Sequence, residues 1–447
     1  MDFSRSRLKA LEAGVRIWDP GNECLGREEL ELLQLTRLRT TLDRVIRGVP
    51  CYQNKFREAG IVAQDVGSLQ DLSRLPFTTK EDLRLNYPYG MFAVPMREVV
   101  RIHSSSGTTG KPTVVGYTRQ DLQTWTELVA RFMTAAGVTE DDIVHIAFGY
   151  GLFTGAFGLH YGSERIGSSV IPMSSGNTDK QIMIMQDYRS SVLVSTPSYA
   201  LTIADRLEKL GMAPESLSLR VGLFGAEPWS DQMGRELEER LGIVATDNYG
   251  LSEVMGPGVA GDCLHKCGMH ISEDHFIAEI IDPETCEVLP AGSIGELVLT
   301  SISKQAFPVV RYRTRDITRL DYSPCACGRT MARMQKTMGR SDDMLIIKGV
   351  NVFPTQIEEV LFQMEGCEPH YLLVIDRQGA MDTLEVQVEV NETIFFDEMK
   401  KQRGFVEMVE KRLFSTLGIG AKVKLVEPSS IPRHEGKANR VIDRRKF

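Results

Sequence analysis

The chain has 447 residues, of which 42% are hydrophobic and 25% charged, with eight cysteines and a formal net charge of −8. At roughly 100–200 residues per domain it holds two to four domains, or one large and one small, and it is long enough to bury a core without staples, which excludes a disordered, collagenous or small disulfide-framed protein. The acidic balance argues against broad nucleic-acid binding, which uses a basic face, but does not exclude anionic ligands, because local fields outweigh net charge.

The first twenty residues lack the apolar core of a signal peptide. No apolar run approaches the ~20 residues that span a bilayer. A cytoplasmic protein without a membrane partner is expected, and its cysteines fit a reducing compartment. Residues 1–75 read as polar and helical, with Leu33, Leu35, Leu38 and Leu42 at mostly helical spacing over 27–46. A short strand follows at 113–117, then an amphipathic helix over 121–136 with Asp121 near its cap. Strand-like runs at 143–148, 169–171, 192–195, 219–224 and 243–247 alternate with helices over 179–188, 198–210 and 230–241. This alternation predicts an α/β layered fold with a parallel sheet. After Gly250, strands at 277–281, 295–300 and 316–321 lack long helices between them, which predicts a β-rich subdomain packed on the first. A charged stretch at 339–343 reads as a hinge. Strands at 344–347, 371–375 and 384–390 and helices over 355–363 and 405–417 then make a small α+β domain. The expected division is 1–339 and 340–447.

The strongest local signal is the run from Ser104 to Pro112, SSSGTTGKP. Gly107 and Gly110 let the backbone bend close to an anion. Ser105, Ser106, Thr108 and Thr109 offer hydroxyl donors, and Lys111 a compact positive charge. The run is not a Walker A loop, because Ser105 stands where that pattern needs glycine and Pro112 where it needs Ser or Thr. A flexible surface loop would share this composition, but Gly-Lys-Pro leading straight into a strand argues against one. The segment from Phe148 to Gly155, FGYGLFTG, misses the dinucleotide fingerprint. Its aromatics Phe148, Tyr150 and Phe153 line an apolar pocket or pack an ordinary core; both readings stay open.

SSSGTTGKP resembles the phosphate loop of the acyl-adenylate-forming superfamily of acyl-CoA ligases, peptide-synthetase adenylation domains and luciferases. Further motifs of that superfamily follow in order. Gly225, Ala226, Glu227 and Pro228 resemble the segment bordering adenine and the acyl group, and Asp247-Asn248-Tyr249-Gly250-Leu251-Ser252-Glu253 its Tyr-Gly-x-[Ser/Thr]-Glu motif. The stretch from Tyr312 to Asp316 resembles the ribose motif, the region from Gly339 to Gly349 the hinge and thioester loop, and Gly436-Lys437 the C-terminal lysine motif. The runs GAEPW, YGLSEVMGPG, RYRTRD and GRSDDMLIIKGVNVFP resemble the phenylacetate–CoA ligase branch. That resemblance implies a large adenylate-forming N-terminal domain, a small mobile C-terminal domain, and ATP, CoA and Mg²⁺ as cofactors. It implies that an aryl-acetic acid is adenylated and then attacked by CoA.

The resemblance also implies roles. Lys437 meets the reacting carboxylate and phosphate, Glu253 binds Mg²⁺, and Asp316 accepts from the ribose hydroxyls. Ser252 touches phosphate, Tyr249 adenine, and Arg340 ribose or phosphate; Arg313 and Arg315 are left for structural pairs or phosphate. Asp342 is the hinge about which the small domain presents either Lys437 or the Lys348-Gly349 loop. Tyr150, Phe153 and Ala226 are the candidate aryl pocket. A solvated terminal lysine, a helix-capping glutamate and a salt-bridged aspartate are the competing readings for Lys437, Glu253 and Asp316.

Cys263, His265, Cys267, His270, Cys325 and Cys327 offer six soft or borderline ligands in two clusters. Structural zinc takes four, tetrahedrally. Zinc-containing relatives imply Cys263, His270, Cys325 and Cys327, with Cys267 a substitute and His265 the outsider. Cys286 and Cys367 read as turn and surface thiols. Two rival chemistries remain: AMP transfer to a deazaflavin hydroxyl without a thioester, or a ligase for another aromatic acid. A non-catalytic binding module is disfavoured because Lys111 and Lys437 are both present. The expected partners are the small molecules, with a homodimer the one candidate assembly.

Overall fold

A computed structural model describes residues 16–105, 112–341, 345–347, 350–378, 381–395, 399–433 and 440–445. The N-terminal part is helical, as Pro20–Glu23, Arg27–Gly48 and Pro50–Ala59. The long helix buries Leu30, Gln34, Leu38, Thr41, Leu42 and Val45, a stripe at three- and four-residue spacing. Leu33 and Leu35, expected on that face, flank it half-buried. Gln34 holds the buried position because its amide donates to the Glu273 carbonyl at 2.9 Å. Pro50 starts the next helix at a position where its missing N–H costs nothing.

Strands β1 (Arg101–Ser104) and β2 (Val114–Tyr117) form an antiparallel hairpin. The helix Arg119–Ala135 follows at once, with Thr118 as its N-cap. The Thr118 hydroxyl accepts from the Asp121 N–H at 3.1 Å, and the Asp121 carboxylate accepts from the Thr118 N–H at 2.9 Å. Asp121 is therefore not the cap but the reciprocating residue of a capping box, three residues inside it.

The centre is a nine-stranded sheet. Its parallel half runs through β3 (Ile143–Ile146), β4 (Ser169–Ile171), β5 (Val192–Ser195), β6 (Val221–Gly225) and β7 (Val244–Leu251), ordered β4-β3-β5-β6-β7. Strands β5 and β6 are buried along their length, which is why they read as unbroken apolar runs. The helices Thr178–Asp187, Pro197–Lys209 and Asp231–Leu241 lie where the sequence predicts. The helix Gly155–Ile166 does not, because Gly155, Gly158 and Gly162 weaken its propensity. Those glycines let two helices touch: a Cβ at Gly158 would meet Trp125 at 2.7 Å, and one at Gly162 would meet Val129 at 2.4 Å.

The region after Gly250 is divided rather than set apart as one β-rich subdomain. Strands β8 (Gly256–Gly261), β9 (Met269–Ile271), β13 (Leu320–Asp321) and β14 (Arg333–Met334) continue the main sheet in antiparallel sense. Strands β10 (Phe276–Ile281), β11 (Gly295–Ser301), β12 (Tyr312–Thr318) and β15 (Gly339–Arg340) form a four-stranded antiparallel sheet. The switch at β7 is possible because antiparallel neighbours need only a short turn. It also needs small residues. A Cβ on Gly250 would stand 1.9 Å from the Gly256 carbonyl oxygen, and one on Gly261 2.5 Å from Phe132.

The small C-terminal domain has its own core. Strands β16 (Leu345–Ile347) and β17 (Val350–Val352) pair, and a second sheet is ordered β20-β19-β18-β21. That sheet comprises β18 (Cys367–Gln378), β19 (Met381–Val390), β20 (Lys422–Val426) and β21 (Val441–Asp443). Helices Pro354–Phe362 and Met399–Leu417 cover it through Ile357, Leu361, Val409 and Leu413, all nearly inaccessible. Among the described residues no helix is long and apolar enough to cross a membrane.

Candidate active site

The phosphate-loop motif opens from the β1–β2 hairpin. Ser104 pairs with Val114, and its N–H donates to the Leu152 carbonyl at 2.9 Å. The Ser105 N–H donates to the Thr113 carbonyl at 2.9 Å, and the Thr113 N–H donates to the Ser105 hydroxyl at 3.1 Å. Both serines thus close the stem of the loop. Ser106, Gly107, Thr108, Thr109, Gly110 and Lys111 lie outside the described residues, as do Asp342, Lys348, Gly349, Gly436 and Lys437.

The next motifs stand at the carboxyl ends of β6 and β7, where open α/β sheets bind ligands. Gly225 pairs with Asn248, and a Cβ on it would lie 2.6 Å from the Asn248 carbonyl oxygen, so only glycine fits. Ala226 follows with φ of 71°, a left-handed conformation costly for a residue with a Cβ. The Glu227 carboxylate accepts from the Ser198 N–H at 2.8 Å, pinning the loop to the first turn of Pro197–Lys209 before Pro228 leads it on. The Asn248 amide donates to the Phe224 carbonyl at 2.6 Å. Burial pushes the Asp247 carboxyl up to about 7, with nearby Lys336 opposing and Asp262 adding to the shift.

Tyr249, Asp316 and Arg340 converge from three strands. The Tyr249 hydroxyl donates to the Asp316 carboxylate at 2.5 Å. Asp316 pairs in register with Arg340, whose guanidinium is 3.9 Å from the carboxylate. Burial, and then the Asp316 charge, hold the Tyr249 phenol well above its ordinary range, so it stays a donor. Arg313 and Arg315 turn to Glu296, at 2.6 and 3.5 Å, as structural pairs. Ser252 and Glu253 lie in the β7–β8 turn rather than at a helix end. The Ser252 hydroxyl is 3.1 Å from that of Thr154.

Glu253 is buried beside a lysine that sequence reasoning missed. Lys304 is 1% exposed, donates to the Val254 carbonyl at 3.0 Å, and sits 4.5 Å above the Tyr117 ring centre. Burial pulls its pKa down to about 8 against the charges of Asp121 and Glu253. No local pattern marks this lysine, since its partners lie far away in the chain. In the segment after β3, the Tyr150 hydroxyl is 3.0 Å from His160 Nδ1, and its ring meets Phe157 edge-on at 5.2 Å. Tyr150 and half-exposed Phe153 follow β3, and Ala226 follows β6; β5 alone separates those strands.

The cysteine cluster lies at the antiparallel end of the main sheet. The ligand atoms of Cys263, His270, Cys325 and Cys327 all fall within 4.8 Å of one another, and all four residues are buried. Cys263 and Cys325 sulfurs are 3.7 Å apart, and Cys327 is 3.4 Å from His270 Nε2. Tetrahedral zinc with Zn–S near 2.3 Å has ligand edges of about 3.5–3.8 Å, so this donor set fits the ion. Cys267 stands at the rim, exposed, 3.5 Å from Cys325 and held by Arg333 at 2.7 Å. His265 is not among the four. Cys286 does occupy a turn, at φ of 64°. Cys367 is half-buried on β18 rather than a surface thiol, and burial pushes it up to about 12.

The model of the AMP-binding enzyme family matches residues 40–303, and that of the AMP-binding enzyme C-terminal domain matches residues 349–445. The phenylacetate-coenzyme A ligase of Aromatoleum evansii is 52% identical over 438 residues, covering 96% of this chain and 99% of that protein. Among solved structures, 2-hydroxyisobutyryl-CoA ligase in its postadenylation state with 2-HIB-AMP superposes with a TM-score of 0.90 at 30% identity, over 95% of this chain and 92% of that one. The same ligase with 2-HIB-AMP and CoA in its thioesterification state gives 0.71 at 30% identity, over 95% and 91%. The chain belongs to the AMP-binding enzyme family, in the group of the phenylacetate-coenzyme A ligases.

Proposed function

We propose that this protein is an ATP-dependent phenylacetate–CoA ligase, an acid–thiol ligase that forms AMP. A carboxylate oxygen of phenylacetate attacks the α-phosphate of ATP, and the bond to pyrophosphate breaks. The CoA thiol then loses its proton and attacks the acyl-adenylate carbonyl, and AMP leaves with one former carboxylate oxygen. The carrying observation is the convergence of Tyr249, Asp316 and Arg340 beside the Gly225–Pro228 loop in a chain 52% identical to such a ligase.

Both steps bring anions together, so the protein's work is alignment and charge neutralisation. Asp316, oriented by Tyr249 and Arg340, accepts the ribose hydroxyls. Asp247, Asn248, Tyr249 and Gly225–Pro228 border the adenine. Ser104–Lys111 wrap the phosphates, and Lys437 meets the oxygen shared by carboxylate and phosphate during adenylation. Glu253 with phosphate oxygens would hold Mg²⁺, which supplies charge neutralisation. Tyr150, Phe153 and Ala226 receive the aryl ring. Cys263, His270, Cys325 and Cys327 would hold a zinc ion that staples strand β9 to the loop before β14. Four protein ligands leave no open position, so the ion's role there is structural.

The chain divides into adenylating and cap domains just after β15 (Gly339–Arg340), since both residues of that strand pair with β12, slightly beyond the expected 339/340 boundary. All eight cysteines lack a disulfide partner, which suits the cytoplasm. A pyrophosphate-release screen of aryl and fatty acids with ATP and Mg²⁺, with and without CoA, tests the reading. Phenylacetate is expected to give the highest turnover, with CoA consumed. Turnover only with another acid class removes the substrate assignment, and AMP transfer indifferent to CoA removes the ligase.

A further inference from the structure

The small domain is tied to the Gly225–Ser230 loop by two charged residues outside the motif residues named above. Glu358 lies on the helix Pro354–Phe362 and is 0% exposed. One carboxylate oxygen accepts from the Ser230 N–H at 3.0 Å, across to the large domain. Ser230 is the N-cap of Asp231–Leu241, and its hydroxyl accepts from the Met233 N–H at 3.1 Å. A capping box needs a second acceptor, for the N-cap's own N–H. The residue that would supply it locally is Met233, which has none. Glu358 supplies it from the other domain.

The other oxygen of Glu358 accepts from the Tyr371 hydroxyl at 3.0 Å and from the Arg440 guanidinium. Arg440 also stacks over the Tyr371 ring, 4.8 Å from its centre, and donates to the Ser198 hydroxyl at 3.1 Å. Ser198 is the residue whose N–H holds the Glu227 carboxylate. The two small-domain residues therefore grip the Gly225–Ser230 loop at two points, at Ser230 directly and at Glu227 through Ser198. Immediately before the first grip stands Ala226 at φ of 71°, a conformation that persists only where its surroundings impose it. Arg440 also stands three residues after Lys437 in the chain.

We propose that Glu358 and Arg440 are positioning residues for adenylation: they lock the small domain onto the Gly225–Ser230 loop, and the lock breaks before CoA attacks. The proposal rests on the ligase reading above. The arrangement that contains the lock superposes on 2-hydroxyisobutyryl-CoA ligase with a TM-score of 0.90 in its postadenylation state and 0.71 in its thioesterification state. The shares covered are nearly equal, so the loss comes from the placement of parts. Breaking the lock takes the acceptor from the Ser230 N–H and the Arg440 donor from the Ser198 hydroxyl, which weakens the support around Ala226 and Glu227. The loop then loosens around the nucleotide at the step in which AMP must leave.

The test separates the half-reactions in the full chain. ATP–pyrophosphate exchange with phenylacetate reads adenylation, and single-turnover attack of CoA on supplied phenylacetyl-adenylate reads transfer. Glu358→Gln and Arg440→Met are each expected to slow exchange about tenfold or more, the scale of a lost charge-assisted hydrogen bond, and to leave transfer within about twofold. Ser198→Ala, which removes one hydroxyl from the large domain, is expected to shift the same split in the same direction by a smaller factor. It decides the matter if the charged variants do not fold. Equal slowing of both half-reactions, or no change in either, overturns the proposal. Wild-type protein that exchanges no pyrophosphate with phenylacetate would instead remove the ligase reading, before any variant is compared.

Discussion

Asp316 is fixed from two sides before any ligand arrives, by the Tyr249 hydroxyl at 2.5 Å and the Arg340 guanidinium at 3.9 Å. On the proposed reading, this preorganised carboxylate meets the ribose hydroxyls. Asp316→Asn should raise the KM for ATP about tenfold or more, since hydrogen bonds to charged groups contribute about 1.5–3 kcal/mol. It should also erase discrimination against 2′-deoxy-ATP, which pyrophosphate-exchange kinetics with the two nucleotides would measure. Retained discrimination would place the ribose elsewhere. Asp247 carries a pH signature. Its carboxyl is raised from an ordinary 3.8 to about 7, chiefly by burial. The folded state therefore holds a proton that the unfolded chain has lost, and that contribution to stability is complete below about 4 and disappears as pH rises through about 7. Asp247→Asn should melt above wild type at pH 8, with a gap that narrows at pH 5. Thermal melts at the two pH values check this; a gap independent of pH would contradict it. The sequence marked both aspartates through their motifs. It did not mark Lys304, Glu358 or Arg440, whose partners are distant in the chain and whose neighbours form no pattern.

At the scale of elements, the cysteine cluster joins parts of the chain that local propensity leaves loose. Cys263 and His270 flank and enter β9, while Cys325 and Cys327 lie between the two-residue strands β13 and β14. Strands this short hold little by themselves, and a bound ion would supply folding energy directly. Protein purified without chelator should carry about one zinc per chain, and Cys325→Ser should lose it and melt several degrees lower. Metal analysis beside a melting curve tests both, and a zinc-free protein with an unchanged melt for Cys325→Ser would refute the staple. Gly250 makes a sharper demand, because its Cβ would stand 1.9 Å from the Gly256 carbonyl. Gly250→Ala should cost about 3 kcal/mol or more, visible as a lowered denaturant midpoint. Parallel strands β5 and β6 were legible because burial on both faces writes a mostly apolar run. The helix Gly155–Ile166 and the strand Gly256–Gly261 were not. Their glycines serve close packing against Trp125, Val129 and Phe132, and close packing between distant segments leaves no local period.

At the scale of the molecule, the motifs resembling those of adenylate-forming enzymes follow one another in chain order, which made the two-domain plan legible. The contacts between the domains were not legible. Beyond Glu358 and Arg440, the His370 imidazole is 2.8 Å from Asp205, and the Arg433 guanidinium 3.4 Å from the same carboxylate. Their partners lie more than 160 positions away in the chain, so no local pattern marks them. One chemical event defines the proposed activity, transfer of a carboxylate oxygen to the α-phosphate. Phenylacetate labelled with ¹⁸O in both carboxylate oxygens, incubated with enzyme, ATP, Mg²⁺ and CoA, follows that oxygen. Mass spectrometry should find one ¹⁸O in each AMP formed and none in pyrophosphate. Unlabelled AMP, or label in inorganic phosphate, would contradict an acyl-adenylate.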